Sequence, residues 1–361
     1  MKLRILWIAA GALPFALFGQ SAPAFVPIPR DPLELATGPV QRGATPAARD
    51  AALQLLARAR NSYQLKKARA PWELKVRFTV DSLGQTDHDG AWEMDDVFAP
   101  GEGVHWTAKS STGYSIAGIF GINSVYAEAT ASVVPLRLQE ARAMLFNPIA
   151  SVSYAGSGSI RTVMTSYQGS PVTCILMSRA RAVSAAARAW DETEDCIDPQ
   201  SGRLRMHSDV PGRYAIYDYT NAPRLGEQGL PSTVTVTEAG RVVSTISVES
   251  LQTLASVDPA LFVPTARMKA EPATAMVSAT KISRMQGQGP VSPSMKVRPV
   301  CIFGLVTPSG QLVEAHSLEP NDPNSEAALR DAKSMDFSPS LAAGAPQQHF
   351  VFLIENFVTT E

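Results

Sequence analysis

The sequence predicts an α+β protein, mostly antiparallel β: one large curved sheet or barrel with one or two helices, then a small α/β module. Three observations predict it. From Glu73 to Asp81 apolar and polar residues alternate strictly, the period of a half-buried antiparallel strand. The 24 glycines and 27 prolines are many for an all-helical chain and mark frequent turns. No long apolar strands alternate with helices, which argues against a doubly wound parallel fold.

Composition bounds the reading further. At about 150 residues per domain, 361 residues suggest two domains with linkers. Hydrophobic residues at 45% and charged residues at 18% exclude whole-chain disorder. Lys+Arg at 32 and Asp+Glu at 33 leave a formal charge of −1, so no global positive field attracts nucleic acid, and no nucleic-acid partner is expected.

Taken in order, the chain opens with Lys2 and Arg4, an apolar stretch from Ile5 to Phe18, and Ala22-Pro23-Ala24. That is the form of a secretory signal, residues 1–24, cleaved after Ala24. The apolar run is short of the about 20 residues a spanning helix needs; an uncleaved anchor is the alternative. No cysteine stands near the cleavage point for lipid attachment. Residues 25–44, with Pro27, Pro29, Pro32 and Pro39, read as an extended leader. A helix follows, with Thr45 as cap, Pro46 in the first turn, and an apolar stripe of Ala51, Ala52, Leu55, Leu56 and Ala59.

In the strand after it, Leu74, Val76, Phe78 and Val80 face one side and Glu73, Lys75, Arg77 and Thr79 the other. Ser82-Leu83-Gly84-Gln85 and Gly90-Ala91-Trp92-Glu93 suggest a hairpin. Further strand-like runs lie near 104–108, 160–168, 171–178, 203–207 and Tyr214 to Tyr219. Thr233 to Thr237 and Val242 to Val248 flank Glu238-Ala239-Gly240-Arg241, a hairpin pattern. A shorter helix is expected from Leu136 to Leu145, and a helical turn or loop tip at Ser184 to Ala189. Residues 266–295 are rich in Lys, Pro, Ser, Thr, Met, Gln and Gly without aromatics, and read as a flexible linker. In the tail, 296–361, Val300 to Val306 and Gln311 to Leu318 read as strands about Pro308-Ser309-Gly310. Then come a helix from Ser325 to Lys333, with Asn324 as cap, and a strand from His349 to Phe357.

Of the three cysteines, Cys174 and Cys196 flank a polar stretch, and a disulfide between them closes a loop worth about 3 kcal/mol on the chain-entropy model. Export implies the oxidising compartment this needs. Cys301, in Val300-Cys301-Ile302-Phe303, reads as a buried free thiol. No Cys-x-x-Cys or His-x-x-x-His spacing supports a metal site.

Reactive constellations are weak. Ser278-Ala279-Thr280-Lys281 matches Ser-x-x-Lys but stands in the linker without the motifs that accompany that nucleophile. Asp191, Glu192, Glu194 and Asp195 lack calcium-loop spacing and read as a solvated loop face. Glu93, Asp95 and Asp96 read as strand-edge alternation rather than an acid–base pair. His88, His105, His207, His316 and His349 are scattered surface or sheet residues. No catalytic residue and no cofactor is assigned. The aromatic and aliphatic residues carry more. Trp72, Leu74, Val76, Phe78, Val80, Trp92, Trp106 and Tyr217 are candidates to line a cavity inside a curved sheet, with packed core as the other reading.

The tail resembles the TonB C-terminal domain. The resemblance rests on Gly304-Leu305-Val306 with Ser309-Gly310-Gln311-Leu312-Val313, on Glu326-Ala327-Ala328-Leu329-Arg330-Asp331-Ala332, and on Phe337-Ser338-Pro339-Ser340, Gly344-Ala345-Pro346 and Phe350-Val351-Phe352-Leu353. It covers about residues 296–358 and implies a contact with an outer-membrane or periplasmic protein. Phe350, Phe352 and Ile354 are candidates for a strand added to that partner's sheet. Residues 45–265 resemble the LolA/LppX-type lipoprotein-sorting proteins. Ala70-Pro71-Trp72-Glu73-Leu74-Lys75, Gly90-Ala91-Trp92-Glu93, Val172-Thr173-Cys174 and Cys196-Ile197-Asp198-Pro199-Gln200-Ser201-Gly202-Arg203-Leu204-Arg205 carry that likeness. It implies a half-open antiparallel barrel with a helix or two across its mouth and an interior that takes acyl chains. The expected function is therefore a non-catalytic periplasmic binding or adaptor protein, holding an apolar ligand or lipidated protein. A ligand-free adaptor or TonB-type transport accessory, and an envelope hydrolase, are the alternatives.

Overall fold

The computed structural model describes residues 26–27, 41–42, 46–122, 124–149, 159–178, 188, 190–271, 280–286, 296–342 and 345–359. The signal segment, most of the leader, Thr45, Ser278 and the loop tip at 184–187 and 189 lie outside the described residues. In chain order the elements are β1 Val26–Pro27, β2 Gln41–Arg42, α1 Pro46–Ser62, β3 Trp72–Val80, β4 Gly90–Ala99, β5 Gly103–Ser110, β6 Ser115–Phe120, β7 Val125–Ala129 and α2 Leu136–Phe146. Next come β8 Ser159–Tyr167, β9 Ser170–Ser178, β10 Thr193–Ile197, β11 Leu204–Ser208, β12 Arg213–Asp218, β13 Arg224–Leu225, β14 Gln228–Gly229, β15 Thr233–Glu238, β16 Arg241–Thr253 and β17 Lys269–Glu271. The tail holds β18 Thr280–Gln286, β19 Lys296–Val306, β20 Leu312–Ser317, α3 Ser325–Lys333, β21 Ser340–Ala342, β22 Ala345–Gln347 and β23 His349–Thr359.

A curved, unclosed sheet of fifteen strands, counted among the described residues, forms the large part of the molecule. Its order is β1, β8, β9, β10, β11, β12, β15, β16, β3, β4, β5, β6, β7, β17, with β2 also on β8. Every neighbour pair is antiparallel except β1 with β8. The long-range seam is β16 on β3, running from Ser244 opposite Val80 to Thr253 opposite Trp72. Here the alternation of β3 does its work. Trp72, Leu74, Val76, Phe78 and Val80 are all buried on the concave side, where α1 presents Ala52, Leu56 and Ala59. The β15–β16 hairpin turns through Ala239 and Gly240 with φ of 47° and 78°, the left-handed pair that a two-residue hairpin loop requires.

The tail is a second sheet, ordered β18, β23, β19, β20, with α3 on one face. Val300 and Ile302 of β19 and Leu353 of β23 pack on Ala328 and Ala332 of α3. The alternate residues Cys301, Phe303, Leu305, Phe352 and Ile354 face the other way, onto Leu136 and Val210 of the large part. Burial on both faces explains why Val300–Val306 and Phe350–Ile354 are unbroken apolar runs. Helix α2 lies in the seam. Leu138, Ala141 and Leu145 join the large core and Leu136 joins the tail cluster, so the helix is buried around most of its girth, with Arg137 and Glu140 buried as well. Its N-terminus has no side-chain cap of its own; the Leu136 N–H donates to Glu314 Oε2 of β20 at 2.8 Å. Gln85 and Ser317 exchange two more hydrogen bonds across the seam, at 2.8 and 3.3 Å.

Several expectations are corrected. The stretch 266–295, read as a linker, contains two strands: β17 adds to β7, and β18 runs parallel to β23. An edge strand with one covered face tolerates the polar pattern Thr280-Lys281-Ile282-Ser283-Arg284, which hid β18; residues 272–279 and 287–295 lie outside the described residues. Phe350, Phe352 and Ile354, read as partner-strand candidates, stand on β23, which is paired on both sides by β18 and β19. Phe352 and Ile354 are buried against the chain's own large part, so they offer no edge and no open face. The acidic run is not a solvated loop, because Glu192, Glu194 and Asp195 are buried beside Arg161, Arg188 and His207. Glu93, Asp95 and Asp96 sit on β4, an interior strand between β3 and β5 rather than an edge. The histidines read as surface or sheet residues include four on strands as expected, His105, His207, His316 and His349, of which the last three are buried. Asn324 makes no capping side-chain bond on α3.

The Cys174–Cys196 disulfide is present. It joins residues directly opposite each other on β9 and β10. Cys301 is free and buried, and burial pushes its thiol pKa up. Among the described residues no helix is long and apolar enough to cross a membrane.

Candidate ligand cavity

The concave face of the sheet is filled by its own side chains over most of its area. Phe78 and Trp92 stack at 5.3 Å between ring centroids, and Trp72 and Phe98 at 5.4 Å. Tyr217 lies buried edge-on to Tyr63 at 6.3 Å. Where α2 and the tail meet the sheet, the filling stops. A cavity of about 820 Å³ opens there, within the range of about 300–1,000 Å³ usual for small-molecule sites.

Of the cavity candidates read from sequence, Trp72 and Trp106 border this space. Leu74, Val76, Phe78, Val80, Trp92 and Tyr217 do not; they are packed core, where Phe78 stacks on Trp92, Trp92 meets Tyr114 and Tyr217 meets Tyr63. The remaining apolar wall comes from Val104 and Phe120 of the sheet side, Met144 and Phe146 of α2, and Phe303 and Phe350 of the tail. The wall is thus assembled from three parts of the chain far apart in sequence. Trp106 is placed by Gly118 on the adjacent strand, where a Cβ would lie 2.2 Å from the indole Nε1.

Two groups of charges border the same space. In the first, Arg142 of α2 donates to Asp96 through Nη2 at 2.8 Å and Nη1 at 3.1 Å. Its guanidinium lies 4.0 Å from the Trp106 ring centre, 5.1 Å from Phe146 and 5.7 Å from Phe120. Asp96 is fully buried at an inward position of β4, in phase with Trp92, Met94 and Phe98. Lys66 and Lys67 stand exposed beside this pair. The Lys66 pKa is lowered, first by desolvation and then by the Arg142 charge, with Asp96 opposing.

The second group lies at the seam with the tail. Arg137 Nη1 and Nη2 donate to Glu238 at 2.8 and 2.9 Å, and Arg137 Nη1 to Glu140 at 2.9 Å. Arg213 donates to Glu238 at 3.2 Å and Asp209 at 3.1 Å, and pairs with Glu140. These guanidiniums lie over the tail: Arg213 is 4.5 Å from the Phe303 ring and 5.6 Å from Phe352, and Arg137 is 5.5 Å from Phe303. Burial alone would raise the Glu238 pKa, yet Arg137 and Arg213 hold it at about 2. Burial disfavours charge on His207, but Asp209 at 3.3 Å and Asp195 at 2.8 Å raise its pKa to about 10. Lys281 donates to Thr193 Oγ1 at 2.8 Å and the Asp191 carbonyl at 3.1 Å; burial first lowers its pKa, to about 8. Cys174, Glu194 and Cys196 have ligand atoms within 4.8 Å of one another, but the two sulfurs are joined to each other and Glu194 pairs with Arg188. That set offers no metal ligands while the disulfide stands.

The residues that sequence reasoning missed have one readable trace. Asp96 is an acid on the apolar phase of a strand, which calls for a buried cation. Arg142, Met144 and Phe146 carry no such trace, since their role depends on the sheet residues that α2 meets, Asp96, Trp106 and Phe120 for Arg142.

No protein-family model matches the sequence, and no curated protein matches it. Solved structures with similar folds include a LolA superfamily protein from Nitrosomonas europaea, at 11% identity, covering 58% of this chain and 96% of that one with a TM-score of 0.35. A DUF1329 family protein from Desulfovibrio piger is 7% identical, with 59% and 96% covered and a TM-score of 0.36. The MucA/MucB complex of Pseudomonas aeruginosa contains a chain 11% identical, with 73% and 82% covered and a TM-score of 0.29. At these scores the reading of the cavity rests on the residues alone.

Proposed function

We propose that this is a non-catalytic binding protein of the bacterial envelope that holds an apolar ligand, an acyl chain or the acylated end of a lipoprotein, between its curved sheet, α2 and the tail. The observation that carries the reading is the unfilled space of about 820 Å³ walled by Trp72, Trp106, Phe120, Met144, Phe146 and Phe303. Each buried methylene contributes about 0.8 kcal/mol, so a long chain binds without any reactive group. The charged groups support a binding role: Arg142, Arg213 and His207 are each held by carboxylates, an arrangement that fixes shape rather than freeing a nucleophile or base. A periplasmic location is supported by the signal-like N-terminus and the disulfide.

In this reading the TonB-like tail is first a wall of the site. Its hairpin β19–β20, helix α3 and strand β23 follow the order that the resemblance implies, and its seated position favours ligand holding over a free adaptor arm. A protein contact by strand addition would use the tail's outer strands, β18 or β20.

The test is the lipid content of full-length protein purified from an envelope fraction, by mass spectrometry of the extracted lipids. The reading predicts a stoichiometric acyl species in the wild type and its loss in Ala143→Trp, which places an indole in the cavity from a half-buried position on α2. Absence of lipid in the wild type, with no uptake of added palmitate, would refute it.

A further inference from the structure

This inference rests on the ligand-holding reading above and concerns the head of the ligand. The cavity is bordered by five Lys and Arg side chains, Lys66, Lys67, Arg142, Arg213 and Lys281, against four carboxylates, Asp96, Glu140, Asp191 and Asp209, before His207 and His349 are counted. The excess is not spread evenly. Glu140 and Asp209 are engaged by Arg137, Arg213 and His207 at the seam. Beside the aromatic wall of Trp106, Phe120 and Phe146 the balance is different. There Asp96 is fully committed to Arg142 through two hydrogen bonds, and Lys66 and Lys67 have no acidic partner within ion-pair distance among the described residues.

The Lys66 ammonium therefore shares the cavity border with a fixed guanidinium, and has no ion-pair partner of its own among the described residues. Its pKa is lowered first by desolvation and then by the Arg142 charge. Arg142 cannot turn away, since Asp96 and the stacked Trp106 ring at 4.0 Å hold its plane. Such a lip lacks an anion, and the space behind it lacks an apolar filling. We infer that the ligand is a single-chain amphiphile with an oxyanion head, carboxylate or phosphate, its head seated between Lys66 and Arg142 and its chain running into the cavity past Trp106 and Phe146. The same lip discriminates against acyl ligands with uncharged heads, since these leave the Lys66 ammonium uncompensated.

The experiment titrates the full chain with palmitate, hexadecanol and dodecyl phosphate by displacement of a fluorescent fatty acid, with acetate and inorganic phosphate as heads without chains. Palmitate is expected to bind about 10-fold more tightly than hexadecanol, and dodecyl phosphate to retain measurable affinity. Lys66→Gln is expected to weaken palmitate about 5-fold and Lys66→Glu more, with hexadecanol unchanged, the scale of one partly exposed ion pair. Lys66 is exposed, so these variants keep the fold. Raising salt should reduce the palmitate preference. Equal binding of palmitate and hexadecanol overturns the head assignment while leaving the ligand-holding reading intact. Failure of both to bind overturns that reading itself. Inorganic phosphate or acetate binding as tightly as palmitate overturns the coupling of head to chain. Loss of the preference in Lys281→Gln but not in Lys66→Gln moves the head to the seam and also overturns the assignment.

Discussion

Glu238→Gln removes one negative charge from the middle of the seam between the large sheet and the tail. In the folded protein Glu238 is completely buried and accepts from Arg137 at 2.8 and 2.9 Å and from Arg213 at 3.2 Å. Burial pushes its pKa up and the two guanidiniums pull it further down, to about 2 against an ordinary 4.5. At about 1.4 kcal/mol per unit, this carboxylate contributes about 3 kcal/mol at neutral pH. Because the folded pKa is depressed, that contribution is present above about 4.5 and is lost as pH falls toward 2. An independent route gives the same size: breaking one side of a buried ion network costs about 3–5 kcal/mol, since the remaining charges stay desolvated. The assay is urea unfolding followed by tryptophan fluorescence at pH 7, 5 and 3. The expected result is a loss of about 3 kcal/mol at pH 7, with a shallower fall in stability through the acid range than in the wild type. A loss below about 1 kcal/mol at pH 7, or an unchanged acid slope, would refute the view that this network latches the tail.

Three further outcomes follow from the same geometry. Replacing Cys174 and Cys196 together by Ala opens a 22-residue loop and should lower stability by about 3 kcal/mol, read by denaturation of variant and oxidised wild type side by side. His207 has a raised pKa, so its stabilisation is full below about 6.5 and is lost as pH rises toward about 10. Lys281, lowered to about 8 from 10.5, acts in the opposite sense between those two values. His207→Gln should therefore flatten the decline in unfolding midpoint most clearly between pH 7 and 8. Gly118→Ala forces the Trp106 indole off its seat in the cavity wall; a loss of about 1–3 kcal/mol in stability, with ligand affinity down at least about 10-fold, is expected.

Local chemistry made much of the fold legible. Strict alternation from Glu73 to Asp81 gave β3 and its buried face, and Glu238-Ala239-Gly240-Arg241 gave a hairpin whose two central residues do adopt positive φ. Helix α2 was expected from Leu136 to Leu145 and runs from Leu136 to Phe146. The tail hairpin and α3 stand where their apolar runs and turn residues place them. What escaped was set by distant partners. Thr280–Gln286 is a strand only because β23 supplies its hydrogen bonds from about 70 residues away. The acids around Cys196 look solvated until Arg161 and Arg188 are brought to them. The cavity escaped for the same reason. Alternation tells which side of β3 is apolar, but the Trp92 ring decides that Phe78 is covered, and α2 with the tail decides that Trp106 borders open space.

The central claim is that an acyl chain enters the cavity and is removed from water along its length. Equilibrium dissociation constants for a series of fatty acids of increasing chain length test it most directly. The account predicts affinity rising about 4-fold per added methylene, from about 0.8 kcal/mol each, until the space of about 820 Å³ is full. Dissociation constants that do not change with chain length would contradict it.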